Sequence, residues 1–238
     1  MSNTNPSIAP LRNVAAFAAL VERVTKRSNN LPGMAVFYGK SGLGKSVSAT
    51  YGANKHSAYY VQVKSVWTKK RLCQSFLQEM GIKATPTVGE MVDQIGEQLA
   101  LSGRPLIVDD AQFLVHRGMI EILRDIYESS FAAVILIGEE SLPTDLKRWE
   151  RVHNRMLDWV QAQPCDLADT RHLARIYCPN VDVADDLLEQ VRSSVNGCTR
   201  RVAVNLDHIR AYAEGKALTA INSATYKGRI DTGNAGRG

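Results

Sequence analysis

Apolar residues along this chain follow two rhythms, and the change comes near Pro164. Before it, short continuous apolar runs alternate with stretches in which apolar residues recur every three or four positions. The first such stretch carries Val14, Phe17, Leu20, Val21 and Val24 on one helical face and breaks over 28–32, at two asparagines and a proline. A strand is predicted over 34–38, a helix from 45 to about 53, and a second strand over 58–63. Helices over 69–80 and 87–101 follow, closed by Gly81 and by Ser102-Gly103. The strand over 106–108 runs into Asp109-Asp110, a helix covers 119–129, and the apolar run 132–137 ends at Gly138. Strands that are apolar throughout and alternate with helices specify an α/β fold, with a mostly parallel sheet covered on both faces.

After Pro164 no further strong strand is predicted. Val183, Leu187, Leu188, Val191 and Val195 form one helical stripe, with Asp182 as its expected N-cap. Val202, Leu206, Ile209 and Ala213 form another. The expected organisation is a flexible arm over 1–10, an α/β core over 11–164, a small helical domain over 165–221 and a disordered tail over 222–238.

Composition narrows the class. In 238 residues the charged fraction is 22% and the net charge +5, a mild basic excess that permits nucleic-acid binding without requiring it. Cys73, Cys165, Cys178 and Cys198 form no Cys-x-x-Cys pair and read as reduced thiols. The histidines make no His-Glu-x-x-His pattern, so zinc is not expected. The run 131–137 is too short to span a bilayer and the N-terminus lacks an apolar signal segment, so a soluble, cytoplasmic protein is expected.

The chemistry concentrates at Gly39-Lys40-Ser41-Gly42-Leu43-Gly44-Lys45-Ser46, a complete phosphate-loop pattern between a predicted strand and a predicted helix. Its glycines let backbone N–H groups turn toward an anion, and the helix N-terminus adds positive potential. Lys45 is expected to reach the β- and γ-phosphates of ATP, and the Ser46 hydroxyl to ligate Mg2+. The strand ending in Asp109 places a carboxylate at the C-terminal edge of a parallel sheet, where it would hold the Mg2+. Asp110 stands where a water-orienting acid is expected, or simply caps the next helix.

Three cationic segments remain. The segment 147–156 contains Lys147, Arg148, Arg151 and Arg155, which reads either as a source of an arginine finger or as a solvated helix face. Arg200 opens the last helix, against its dipole and opposite the apolar stripe, which favours a role facing an anion. Lys64, Lys69, Lys70 and Arg71 surround Trp67 and suit a phosphate backbone, with His116 and Arg117 as further contacts; the alternative is a solvated helix start.

In this order the pieces resemble an AAA+ ATPase: phosphate loop, acidic strand, apolar strand, arginine segment and a helical lid with Gly197-Cys198-Thr199-Arg200-Arg201. The stretches Leu-Ile-Val-Asp-Asp-Ala-Gln-Phe-Leu (106–114) and Leu-Ile-Gly-Glu-Glu-Ser-Leu (136–142) are most similar to the B transposition proteins of Mu-like phages. The resemblance implies ATP and Mg2+ as cofactors and slow hydrolysis stimulated by DNA or a partner. It implies helical self-assembly on double-stranded DNA, a transposase partner and residence in the cytoplasm of a bacterial host. It implies Arg155 as the finger, with Arg151 and Arg148 as second choices, Arg200 as a sensor of the phosphates, and Glu139 or Glu140 in the region of the other sensor. Helicase loaders and replication initiators share these parts, and a nucleotide-dependent interaction switch with little turnover is a third reading.

Overall fold

The structure is a computed structural model that describes residues 11–233, so the expected arm over 1–10 lies outside the described residues. The chain forms two compact units. One comprises Val14–Lys40 and Lys45–Ala162; the other comprises, among the described residues, 11–13, Ser41–Gly44 and 163–233.

The first unit is built on a five-stranded parallel sheet of β1 (Met34–Tyr38), β2 (Tyr59–Gln62), β3 (Leu106–Asp109), β4 (Val134–Gly138) and β5 (Met156–Gln161), in the order β2-β3-β4-β1-β5. Central β3 and β4 are buried at every position and β1 at all but Tyr38, which explains their uninterrupted apolar sequences. Edge strand β2 alternates, so Tyr59 and Val61 are buried while Tyr60 is half-buried and Gln62 exposed. β5 is a strand the periodicity does not predict. As the other edge it is only half-buried, and Asp158 on it pairs with Arg23 at 2.5 Å.

Helices α1 (Arg12–Thr25), α2 (Lys45–Lys55), α3 (Lys69–Glu79), α4 (Val88–Ser102), α5 (Gln112–His116), α6 (Ile120–Ser130), α7 (Leu142–Leu146) and α8 (Glu150–His153) complete this unit. Fully buried Phe17 of α1 meets Phe37 of β1 edge-on, with centroids 5.2 Å apart. Gly52 of α2 lies so close to the Phe17 ring that a Cβ there would sit 2.6 Å from it, so a side chain at 52 would force the helices apart. Thr68 caps α3 by accepting the Arg71 N–H, and Thr87 with Glu90 forms a capping box on α4. These caps place the chain breaks where the sequence puts them.

The second unit contains α9 (Leu167–Tyr177), α10 (Asp185–Ser194) and α11 (Thr199–Gly215), with a two-stranded parallel ladder of β6 (Asp182–Val183) and β7 (Ala220–Ile221). α9 starts at a capping box of Asp166 and Asp169, and buried Asp169 also accepts the Arg12 N–H at 2.9 Å. Two expectations are corrected here. Asp182 is not an N-cap: its N–H donates to the Thr219 carbonyl at 2.8 Å in the ladder, and α10 begins after Ala184. The tail expected to be disordered from 222 is placed through Gly233. The Asn205 amide donates to the Asp231 carbonyl at 2.9 Å and accepts the Asp231 N–H at 2.7 Å, a two-point clamp on backbone. Arg201 pairs with the Asp231 carboxylate at 3.1 Å, and Tyr226 is buried against Tyr212. Specific hydrogen bonds hold a segment too polar to be held by a core.

Candidate nucleotide site and its basic neighbour

The phosphate-loop sequence forms the turn between β1 and α2. Gly42 and Gly44 adopt φ of 84° and 81°, a left-handed backbone that side chains disfavour. The Lys45 ammonium donates to the carbonyls of Gly39 at 2.6 Å and Lys40 at 2.8 Å, which holds its charge over the start of the loop. Ser46 is exposed on the first turn of α2. In the second unit the loop tip is tied down through its carbonyls. The buried Asn13 amide donates to Leu43 O at 2.9 Å, and the Arg200 N–H donates to Gly42 O at 3.0 Å. Turning these carbonyls toward protein leaves the loop's N–H groups for an anion. Arg200 lies beside Gly42 with its side chain exposed, and a Cβ on Gly42 would sit 3.5 Å from the Arg200 Cβ.

Asp109 ends β3 with 2% of its surface exposed. Its Oδ2 accepts the Tyr60 hydroxyl at 2.9 Å, and its Oδ1 accepts the Asp110 N–H at 2.9 Å. Burial, and then the Asp109 charge, push the Tyr60 phenol above its ordinary pKa, so it stays a hydrogen-bond donor at any physiological pH. Asp110 sits in the left-handed region at φ 56°, and two amides hold its carboxylate: Gln62 Nε2 at 2.8 Å and Gln112 Nε2 at 3.2 Å. The Oε1 of buried Gln112 has no hydrogen-bond partner among the described residues and faces Gly138, where any Cβ would come within 2.9 Å of it. Asp110 is not a cap of α5, which begins after Ala111 without a side-chain cap.

A Ser46 hydroxyl and one buried carboxylate fit Mg2+ arriving with a nucleotide. That ion keeps waters and phosphate oxygens as most of its ligands. Among the described residues no group of three or more His, Cys, Asp or Glu side chains could hold a metal by itself. Bound in this way, Mg2+ would offset charge on the β- and γ-phosphates. Glu139 and Glu140 are exposed just beyond β4, and the strand itself ends in Gly138, so β4 brings no polar side chain of its own to that end.

The basic segment after β2 lies at the same edge of the sheet. Val63 N–H donates to Asp109 O at 3.0 Å, and the chain then turns through Lys64–Trp67 into α3. Lys64, Lys69, Lys70 and Arg71 are exposed, as is Val66, and the Arg71 guanidinium lies 5.7 Å from the Trp67 ring centroid. Arg117 joins them by donating to Trp67 O at 3.5 Å. Among the described residues none of these five cations has a carboxylate partner. His116 is directed elsewhere, 3.6 Å from Asp145.

The arginine segment falls before β5. Arg155 pairs with Glu128 and Arg148 with Asp145, whereas exposed Arg151 has no ion pair among the described residues. Arg155 O accepts the Met34 N–H, which puts this residue at the N-terminal edge of the sheet, opposite the edge bearing Asp109. Arg151 and Arg155 line a cavity of about 490 Å³ with Arg124, Glu128, Glu150 and Asn154.

A family model described as an AAA domain matches residues 28–146, half of the chain. The chain belongs to that family. As an AAA domain it is similar in fold to the Aeropyrum pernix ORC2 protein, solved in ADPNP–ADP complexes. The TM-score is 0.68 at 14% identity, covering 94% of this chain and 68% of that one. It is also similar to the Aeropyrum pernix ORC1 protein in complex with DNA (TM-score 0.63, 17% identity, covering 90% and 62%). Cdc6p from Pyrobaculum aerophilum is a third (0.62, 14%, covering 93% and 66%). The chain thus spans about two thirds of the length of these proteins. No curated protein sequence matches it.

Four residues of this AAA domain's site escape a reading of the sequence: Asn13, Tyr60, Gln62 and Gln112. Asn13 acts on the loop 30 residues away, and Tyr60 and Gln62 act on acids 49 and 48 residues away. Only the parallel register of β2 on β3, with Gln62 opposite Asp109, brings the last two to their targets. Gln112 differs from the other three in acting locally, two residues from Asp110.

Proposed function

We propose that this AAA domain is a Mg2+-dependent ATPase that binds double-stranded DNA without strong sequence preference and assembles on it when ATP is bound. Lys45 and the loop N–H groups bind the phosphates, Ser46 and Asp109 serve the Mg2+, Asp110 orients the attacking water, and Arg200 senses the nucleotide. An arginine from a neighbouring copy completes the site: Arg155 in the first instance, with Arg151, which has no ion pair among the described residues, and Arg148 as alternatives. The observation that carries the DNA reading is the cluster of Lys64, Lys69, Lys70, Arg71 and Arg117 around Trp67, five cations without carboxylate partners among the described residues, at the edge where Asp109 lies. Uncompensated cations beside an aromatic ring suit a phosphate backbone. One protomer supplies few contacts, so assembly along DNA supplies the affinity. The process we assign is phage-type transposition, with a transposase as partner, on the resemblance of the 106–114 and 136–142 stretches.

The deciding experiment measures duplex binding with ATP, ADP or no nucleotide across a salt series, followed by electron microscopy. ATP-dependent, salt-sensitive binding with helical assemblies is expected; ATP binding without DNA binding would refute the proposal. A second reading, an interaction switch with little turnover, is favoured by the two amides that hold Asp110. Phosphate release that stays negligible with DNA present would select it.

A further inference from the structure

Asp109 is a buried carboxylate, so its oxygens depend on hydrogen-bond donors within the fold. It has two, one on each oxygen. The Asp110 N–H takes Oδ1, and the Tyr60 hydroxyl takes Oδ2. Tyr60 is the one side chain that donates to it among the described residues. The terminal torsion of an aspartate is soft and close to two-fold, so a single donor leaves the carboxylate plane loosely set, whereas donors on both oxygens fix it. The Tyr60 ring is itself held, because β2 pairs in register with β3 and sets Tyr60 opposite Ile107, two residues before Asp109.

We propose that Tyr60 is a positioning residue for the Mg2+ carboxylate: its hydroxyl aims Asp109 and thereby sets how much Mg2+ the protein needs to bind nucleotide tightly. The inference rests on the assignment of Asp109 to Mg2+ made above. Groups that orient a metal's ligands without touching the metal change its affinity by on the order of ten-fold or more when removed.

The test is Tyr60→Phe, which keeps the ring and removes only the hydroxyl. Binding of a fluorescent ATP analogue is followed across a Mg2+ titration and again in EDTA. The expected result is a Mg2+ midpoint raised by about ten-fold, with affinity in EDTA unchanged. A midpoint equal to that of the unaltered protein overturns the proposal, and so does equal weakening with and without Mg2+, which marks a merely structural role. Repeating the change in Asp109→Asn separates the two layers of the argument. Tyr60→Phe should then have no further effect on the midpoint, because its target is gone, whereas an additive effect overturns the proposal. If Asp109→Asn alone leaves the Mg2+ dependence intact, the assignment of Asp109 fails first, and the role of Tyr60 falls with it.

Discussion

Replacing Lys69 and Lys70 by alanine isolates the electrostatic part of the DNA interface. Both are exposed in the first turn of α3 and unpaired among the described residues, whereas neighbouring Arg71 also lies against the Trp67 ring. Leaving Arg71 in place keeps that contact and the Thr68 cap, to which Arg71 donates through its backbone. Each phosphate neutralised contributes about 0.9 to the slope of log K against log salt, so losing two contacts lowers the slope by about 1.8 per protomer. Between about 50 and about 200 mM salt, a four-fold range, the affinity of the variant should fall roughly ten-fold less than that of the unaltered protein. The fold should not suffer. Two cations at a helix N-terminus oppose the helix dipole by a few tenths to about 1 kcal/mol each, so the variant should melt at the same temperature or slightly higher. Fluorescence anisotropy of a labelled duplex at saturating ATP gives the slope, and nucleotide binding measured alongside shows the ATP site intact. An unchanged slope with unchanged affinity would refute the interface, because nothing else on α3 could mask the loss of two solvent-facing charges.

Two further predictions concern the fold. Asn205→Ala removes both hydrogen bonds that clamp the backbone at Asp231 from a side chain only 1% exposed. A loss of about 1–3 kcal/mol is expected in chemical denaturation, with new protease cleavage within 222–233; unaltered cleavage would show that Arg201 and Tyr226 suffice. Burial raises the thiols of Cys73, Cys165 and Cys178 from 9.0 to about 11, so they stay protonated and closed to reagents, while Cys198 is partly exposed. One thiol should therefore react quickly with a disulfide reagent at pH 8 and all four after unfolding. The same shifts fix the pH dependence. The unfolded chain releases these protons near pH 9 and the folded one near 11, so their contribution to stability is full below pH 9 and is lost as the pH rises toward 11. Melting temperatures that stay flat across that window would contradict the burial.

What the sequence reveals and what it hides follow from how far each residue acts. β1, β3 and β4 are buried on both faces, so their runs are apolar up to Asp109 at the end of β3, and the pattern is plain. β5 shares the sheet but lies at its edge: Met156 and Trp159 pack against the core, while Asp158 pairs with Arg23 and Gln161 is exposed, and these two interrupt the apolar run. The phosphate loop is legible because its backbone geometry requires glycines at fixed positions, and the Asp109-Asp110 pair because it directly follows an apolar strand. Their supports are not, since a tyrosine or glutamine on an edge strand carries no local mark of function. β2 joins these levels. Its alternation buries Tyr59 and Val61 and sends Tyr60 and Gln62 toward the two acids. One residue beyond Val63 the chain enters the cationic turn that begins at Lys64. An edge strand, the least apolar kind in a parallel sheet, is the kind that can spare side chains for such work, because the positions that need not fill the core are free to hold a carboxylate.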